Sequence, residues 1–249
     1  MENKETIKVI KNGYFWYVDA VKGDVDESYD GEVYTMMRPR QLRKVTDILI
    51  NEFKFDTINC IETGGSWNIK GDGAVGLYLA HLCKETGGEF HSVELNEGIK
   101  VLSEKMYQDK GFDNVNHHHQ DSVKYLENTK FVPNLVHLDS WDVDLKNPLP
   151  SGLHGWREFT ALKDKMPIGS IIIIDDCWFN DSWVEWVTYE EDSEEEKREI
   201  IDISYPILGK GSLIWHYIND SSDPNMDWEI IGDGYDGGEA RKLIIKKIL

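Results

Sequence analysis

The sequence predicts an α/β protein: a seven-stranded, mostly parallel sheet with helices on both faces and an antiparallel hairpin at its C-terminal edge. Three observations predict it. Between residues 56 and 174, short apolar strands alternate with helical patterns, the arrangement that builds parallel sheets through right-handed crossovers. The stretch "IIII" at 171–174 is apolar on both faces, as a buried central strand must be. The tail carries "DWEIIGDG" and "ARKLIIKKI" with no helical pattern between them, which reads as a hairpin.

In chain order, residues 1–45 read as an N-terminal extension ending in a lid helix, and residues 46–249 as the main domain. Pro39 precedes "RQLRKVTDILINEF", whose apolar spacing suits a helix packed on the body. "TINCIET" is the first strand, followed by a glycine-rich loop and a helix. The next strand–helix pairs are "GEFHSVEL" with "NEGIKVLSEKMYQDKG", "NVNHHHQD" with "SVKYLEN", and "PNLVHLDS" with "WREFTALKDKM". "GSIIIIDD" is the fifth strand. "SLIWHYI" reads as a further strand, and the acidic run "EEDSEEEKRE" as a solvated helix face or loop.

The bulk numbers exclude several classes. With a net charge of −19 and no basic cluster longer than "RPRQLRK" (38–44), which leaves room for a local patch only, nucleic acid is not the expected partner and a small molecule or cation is. No apolar run reaches the length of a membrane helix, and "MENKETIKVIKNG" has no signal-peptide core. Cys60, Cys83 and Cys177 are widely spaced, as free thiols in a reducing compartment would be, so the expected location is cytoplasmic. A homodimer is the default assembly.

In open α/β sheets, ligands sit beyond the carboxyl ends of the strands. The expected strand ends each carry an acid: Glu62, followed by Thr63, Gly64, Gly65 and Ser66; then Glu94; then Asp121 with Ser122; then Asp139; then Asp175 and Asp176. A glycine turn lets a backbone approach a ligand, and an acid at the end of the next strand can accept both hydroxyls of a ribose. By itself the glycine stretch is equally well a plain tight turn. Its spacing is not G-x-G-x-x-G, which weakens the alternative of a nicotinamide-dependent oxidoreductase. A non-catalytic binding protein on the same fold is the second alternative.

Over residues 35–249 the chain resembles the class I S-adenosylmethionine-dependent methyltransferases, with their Rossmann-like fold. "CIETGGS" is similar to that family's first motif, Glu94 in "HSVEL" to its ribose-binding acid, and "QDSVKYL" to the segment whose Asp and Ser line the adenine. "LVHLDSW" and "GSIIIIDDCW" look like its fourth and fifth strands. "TMMRPRQL" and the "DD" after strand five most resemble small-molecule O-methyltransferases of the macrocin and sugar-modifying type. The chain departs from the pattern at "GGSWNIKGDG", a widened first motif.

The resemblance implies S-adenosylmethionine as cofactor, held by Glu62, Thr63, Gly64, Gly65, Ser66, Glu94, Asp121, Ser122 and Asp139. It implies a small-molecule acceptor bearing a hydroxyl. It also implies Mg²⁺ on Asp139, Asp175 and Asp176, where three carboxylates otherwise repel one another. Such an ion would hold the acceptor oxygen and lower its pKa; the alternative is that the acids bond loop backbones and substrate with no metal. Asp139, His154 and Asp175 are the candidate catalytic residues, His154 as general base because its unperturbed pKa lies near neutrality. His117, His118 and His119 alternate faces on a strand and so are not expected to converge on a metal. Trp141, Trp178, Trp183 and Trp186 are candidates for walls of the acceptor pocket or for core.

Overall fold

The computed structural model describes residues 42, 44–66, 73–179, 183–189, 196–202, 206–232 and 242–249, with backbone only for 73–74, 183–189 and 196–202. Residues 1–41, which carry most of the expected extension and all of the "TMMRPRQL" stretch but Leu42, lie outside these, as do Trp67–Asp72 of the glycine loop and residues 190–195 of the acidic run. No helix among the described residues is long and apolar enough to cross a membrane.

The chain runs β1 (Cys60–Thr63), α1 (Gly73–Thr86), β2 (Phe90–Glu94), α2 (Glu97–Asp109), β3 (Val115–His119), α3 (Ser122–Asn128), β4 (Leu135–Leu138), α4 (Leu149–Leu162) and β5 (Ile171–Ile174). It continues through β6 (Cys177–Phe179), β7 (Trp183–Tyr189), β8 (Glu196–Asp202), β9 (Ile207–Gly209), α5 (Ser212–Asn219), β10 (Trp228–Gly232) and β11 (Leu243–Lys247). The main sheet has seven strands in the order β10-β11-β5-β4-β1-β2-β3, and β11 runs antiparallel to both its neighbours. The expected sheet and its reversed C-terminal strand are therefore present. The strand order turns around between β1 and β4, and a crevice opens beyond the carboxyl ends of such a pair.

Strand alternation divides the core. Cys60, Leu135, Ile171 and Ile173 face one side, packed with Leu77, Leu79 and Tyr107. Ile61, Val136, Leu138, Ile172 and Ile174 face the other, packed with Phe159, Leu162 and Ile214. The helix expected over "RQLRKVTDILINEF" is helical at Lys44–Asp47 and continues as a π-helical turn at Ile48–Glu52, burying Leu42, Val45 and Leu49. The three histidines of β3 do diverge. His118 Nε2 lies 3.1 Å from His91 Nδ1, His119 Nε2 donates to the Leu95 carbonyl at 2.9 Å, and His117 packs on Tyr107.

Three elements differ from expectation. "SLIWHYI" is helix α5, not a strand: Leu213, Ile214, Tyr217 and Ile218 fall on one helical stripe, and Ile214 is fully buried in the second core. The β-branched and aromatic composition suggested a strand, and packing overrode it. Helix α4 begins seven residues before "WREFTALKDKM" and takes in Gly152 and Gly155. Each glycine costs a helix interior about 1 kcal/mol, but a Cβ at Gly155 would lie 2.3 Å from the Lys210 carbonyl. The close approach of α4 to the segment after β9 requires that glycine. Finally, two small antiparallel pairs, β6–β9 and β7–β8, follow β5 where no strands were expected. Glu196–Glu199 of the acidic run belong to β8.

Candidate active site

The ladder bonds run on past the strand ends and set the rim. Gly64 N–H donates to the Val93 carbonyl at 3.0 Å, Asp139 N–H to Thr63 at 2.9 Å, and Asp175 N–H to Leu138 at 3.0 Å. Gly64 has φ +84°, and a Cβ there would lie 2.4 Å from the Asp139 carbonyl oxygen. Glycine is thus required where the β1 and β4 loops meet, both for its left-handed backbone and for the space.

A cleft of about 650 Å³ opens over this junction. Of the residues singled out in the sequence, Gly64, Gly65, Ser66, Glu94, Asp121, Ser122, Asp139, His154 and Asp176 line it. Glu62, Thr63 and Asp175 do not: all three are buried beneath the rim. Glu62 and Thr63 form the last two rungs of β1, and Ser66 Oγ donates to Glu62 Oε1 at 3.1 Å.

On one side of the cleft the acids are held by backbone donors. Glu94 Oε2 accepts from Gly65 N–H at 2.8 Å and Oε1 from Asn96 N–H at 2.6 Å. A carboxylate has about four lone-pair sites, so each oxygen has one left beyond these bonds, in a residue that lines the cleft. Asp121 caps α3, accepting from Lys124 N–H at 2.9 Å. Ser122 follows it and lies 3.2 Å from His154 Nε2.

His154 sits in the middle of α4 rather than in the loop after β4. Its ring stacks on Trp141, which has φ +72° and is 56% exposed in the cleft. Ser140 Oγ donates to the buried Glu158 at 2.6 Å and lies 2.9 Å from His154 Nε2. Because the hydroxyl spends its one proton on Glu158, that second contact needs a proton on Nε2. A neutral His154 then offers its lone pair at Nδ1.

On the other side the acids pair with buried cations. Lys210 Nζ lies 2.8 Å from Asp139 Oδ1 and 3.0 Å from Asp176 Oδ2, with its side chain 2% exposed. Lys242 Nζ bonds Asp175 Oδ2, whose other oxygen accepts from Asp176 N–H at 2.8 Å. That bond supports Asp176 at φ +50°. His137 bridges Asp175 (3.5 Å) and Glu62 (3.3 Å). Burial alone would lower the His137 pKa, but the carboxylates of Asp175 and Glu62 beside it outweigh that and raise it to about 9. Burial would raise Asp175, but Lys242 and then His137 hold it well below the usual carboxylate range. Burial would likewise lower Lys210, and Asp139, Asp176 and Asp175 together push it above its ordinary value.

The arrangement bears on the expected Mg²⁺. Among the described residues one group could bring three ligand atoms together, His137, Asp139 and Asp175, and Asp176 is outside it. Asp139 and Asp176 close instead on an ammonium, and Asp175 on another. These residues do not fit a divalent ion held by Asp139, Asp175 and Asp176 while Lys210 and Lys242 stay in place. Lys210, Lys242, His137, Ser140 and Glu158 were missed in the sequence. Lys210 lies 71 residues from Asp139, and Lys242 lies 67 residues from Asp175. For Ser140 the only local signal was its place between Asp139 and Trp141.

No protein-family model matches the chain, and no curated protein matches it. Solved structures of similar path include a point mutant of MtNAS in complex with S-adenosylmethionine (14% identity, TM-score 0.41, covering 98% of this chain and 73% of that one). An rRNA methylase from Streptococcus thermophilus is similar at 9% identity and TM-score 0.49, over 84% of this chain and 96% of that one. An S-adenosylmethionine-dependent methyltransferase from Clostridium acetobutylicum is similar at 13% identity and TM-score 0.45, over 96% and 98%. At these values the likeness is one of chain path, and a functional reading stands on the site.

Proposed function

We propose that the chain is an S-adenosylmethionine-dependent methyltransferase that methylates a hydroxyl of a small molecule. One observation carries the reading: the glycine turn, Glu94, Asp121–Ser122 and Asp139 converge on a single cleft at the strand-order reversal. In this reading the two free lone pairs of Glu94 accept the ribose diol. Asp121 and Ser122 border the adenine, and Trp141 offers an exposed ring face to it. The Gly64–Gly65 turn admits the amino-acid end next to Asp139.

The cofactor supplies a methyl group on a sulfonium, open to in-line displacement. The protein's task is then to align the acceptor and take up its proton. Asp139 and Asp176 face the cleft with Lys210 behind them, so their carboxylates are fixed in place to receive an acceptor hydroxyl. His154 Nδ1 is the second candidate base. The acceptor is a small molecule in this reading because the chain carries a charge of −19, which repels phosphate backbones. Kinship with the macrocin type belongs to the same proposal and rests on the sequence alone.

Calorimetric titration tests the reading. S-Adenosylmethionine binds at micromolar concentration and NAD⁺ does not, and incubation with hydroxylated acceptors yields S-adenosylhomocysteine. Binding of NAD⁺ in preference to S-adenosylmethionine would overturn it.

A further inference from the structure

We infer that Lys210 is the resident cation of the rim: its ammonium fills the seat between Asp139 and Asp176 and keeps a hard divalent ion out. The inference stands on the ion pairs and does not need the methyl-transfer reading.

The seat is built, not incidental. The backbone that carries Lys210 is clamped from three sides. Gly209, at φ +95°, pairs with Cys177 across β6–β9, and a Cβ there would lie 1.9 Å from the Asp176 carbonyl. Lys210 N–H donates to that same carbonyl at 3.3 Å. Helix α4 closes the third side with Gly155 against the Lys210 carbonyl. The side chain therefore enters from a fixed point, and almost none of it reaches solvent.

The charges at the seat work against a divalent ion. Among the described residues, Asp139, Asp175, Asp176 and Glu62 face Lys210, Lys242 and His137 around the seat. Two of the four carboxylates are thus already paired with Lys210 and a third with Lys242, which leaves little negative charge to draw a divalent ion. Such an ion would also have to stand beside a buried ammonium, and like charges at short range repel strongly where water is scarce. Mg²⁺ asks for near-octahedral oxygen ligands at about 2.0–2.1 Å, and one oxygen of each cleft-facing acid is already spent on Lys210. The His137, Asp139, Asp175 group offers no escape, since each member is engaged by Glu62, Lys210 or Lys242.

Removing the ammonium should turn the seat into a cation site. Two carboxylates would then face each other across the vacated volume, with Asp175 beneath them, and a divalent ion would relieve their repulsion.

The test titrates the full chain with Mn²⁺ alone, without cofactor or acceptor, following bound ion by electron paramagnetic resonance. The wild-type chain takes up no stoichiometric Mn²⁺ at millimolar concentration, and Lys210→Ala gains one Mn²⁺ per chain, lost again in Lys210→Ala/Asp176→Asn. Stoichiometric Mn²⁺ on the wild type that disappears in Asp176→Asn would overturn the inference. So would a folded Lys210→Ala variant with no gain. Should Lys210→Ala fail to fold, Lys210→Ser repeats the variant arm, and the wild-type titration still decides whether the seat is taken. Failure of the wild type to bind S-adenosylmethionine would sink the proposed function and leave these metal results readable.

Discussion

The two halves of the rim satisfy their carboxylates in different ways. On the β1–β2–β3 side, Glu94 and Asp121 accept from backbone N–H groups and stay partly exposed, with lone pairs left over. On the β4–β5–β11 side, Asp139, Asp175 and Asp176 close on Lys210 and Lys242, which are nearly inaccessible. Backbone donors hold an acid at low energetic risk: the group stays solvated, and its loss leaves only amides behind. A buried ion pair holds it rigidly, but removing either partner strands a charge. The first half leaves carboxylate lone pairs unspent, and the second keeps its carboxylates fixed, Asp139 and Asp176 at the cleft wall and Asp175 beneath it.

Breaking the second half should therefore hurt the fold most. Lys242→Met takes away the main cationic partner of buried Asp175, leaving His137 alone beside it, and is expected to cost about 3 kcal/mol, read from the urea midpoint. A loss no greater than for an exposed lysine would mean that the pair is not rigid.

Gly64 joins the halves, and Gly64→Ala should cost about 1–3 kcal/mol through its left-handed backbone and the clash with the Asp139 carbonyl. The same urea experiment measures it, and affinity for S-adenosylmethionine should fall with it. Glu94→Gln sharpens the contrast. It should weaken S-adenosylmethionine by about tenfold or more, equivalent to about 1.4 kcal/mol, and barely move the urea midpoint. Calorimetry and denaturation on one sample separate the two effects.

The smallest effect is a pH slope. The His137 pKa is raised from 6.5 to about 9 in the fold, so its stabilisation is complete below pH 6.5 and is lost as pH rises through about 9. Between pH 7 and 8 the stability should fall by about 1 kcal/mol. In His137→Gln that part of the slope should vanish from urea midpoints measured across the range.

The same division governs what the sequence could show. The β1–β2–β3 half is local: glycines just after a strand, an acid at the next strand end, and Asp-Ser at a helix start are visible within short windows. Those residues were named and do line the cleft, although Glu62 and Thr63, adjacent to them, are buried beneath it. The other half depends on distant partners. Asp139, Asp175 and Asp176 were read as a Mg²⁺ site, with bonds to loop backbones and substrate as the alternative; in the structure Asp175 pairs with Lys242 and the other two share one cation. The cation is an ammonium from a segment whose position depends on β6–β9 pairing and on Gly155 in α4. Nothing near residue 210 in the sequence points to residues 139 and 176. Helix α5 was misread for a related reason: its β-branched and aromatic residues suit either element, and only packing against the second core decides. The alternation of Asp175 and Asp176 was legible in principle, since neighbours beyond a strand end diverge; the structure buries the first and presents the second.

The most direct measurement compares S-adenosylhomocysteine affinity in two variants, Glu94→Ala and Asp176→Asn, by calorimetry against the wild type. Glu94→Ala should lose about tenfold or more in affinity, and Asp176→Asn should keep near wild-type affinity while its turnover collapses. Equal losses in both, or an unchanged Glu94→Ala, would contradict a rim divided between a cofactor half and an acceptor half.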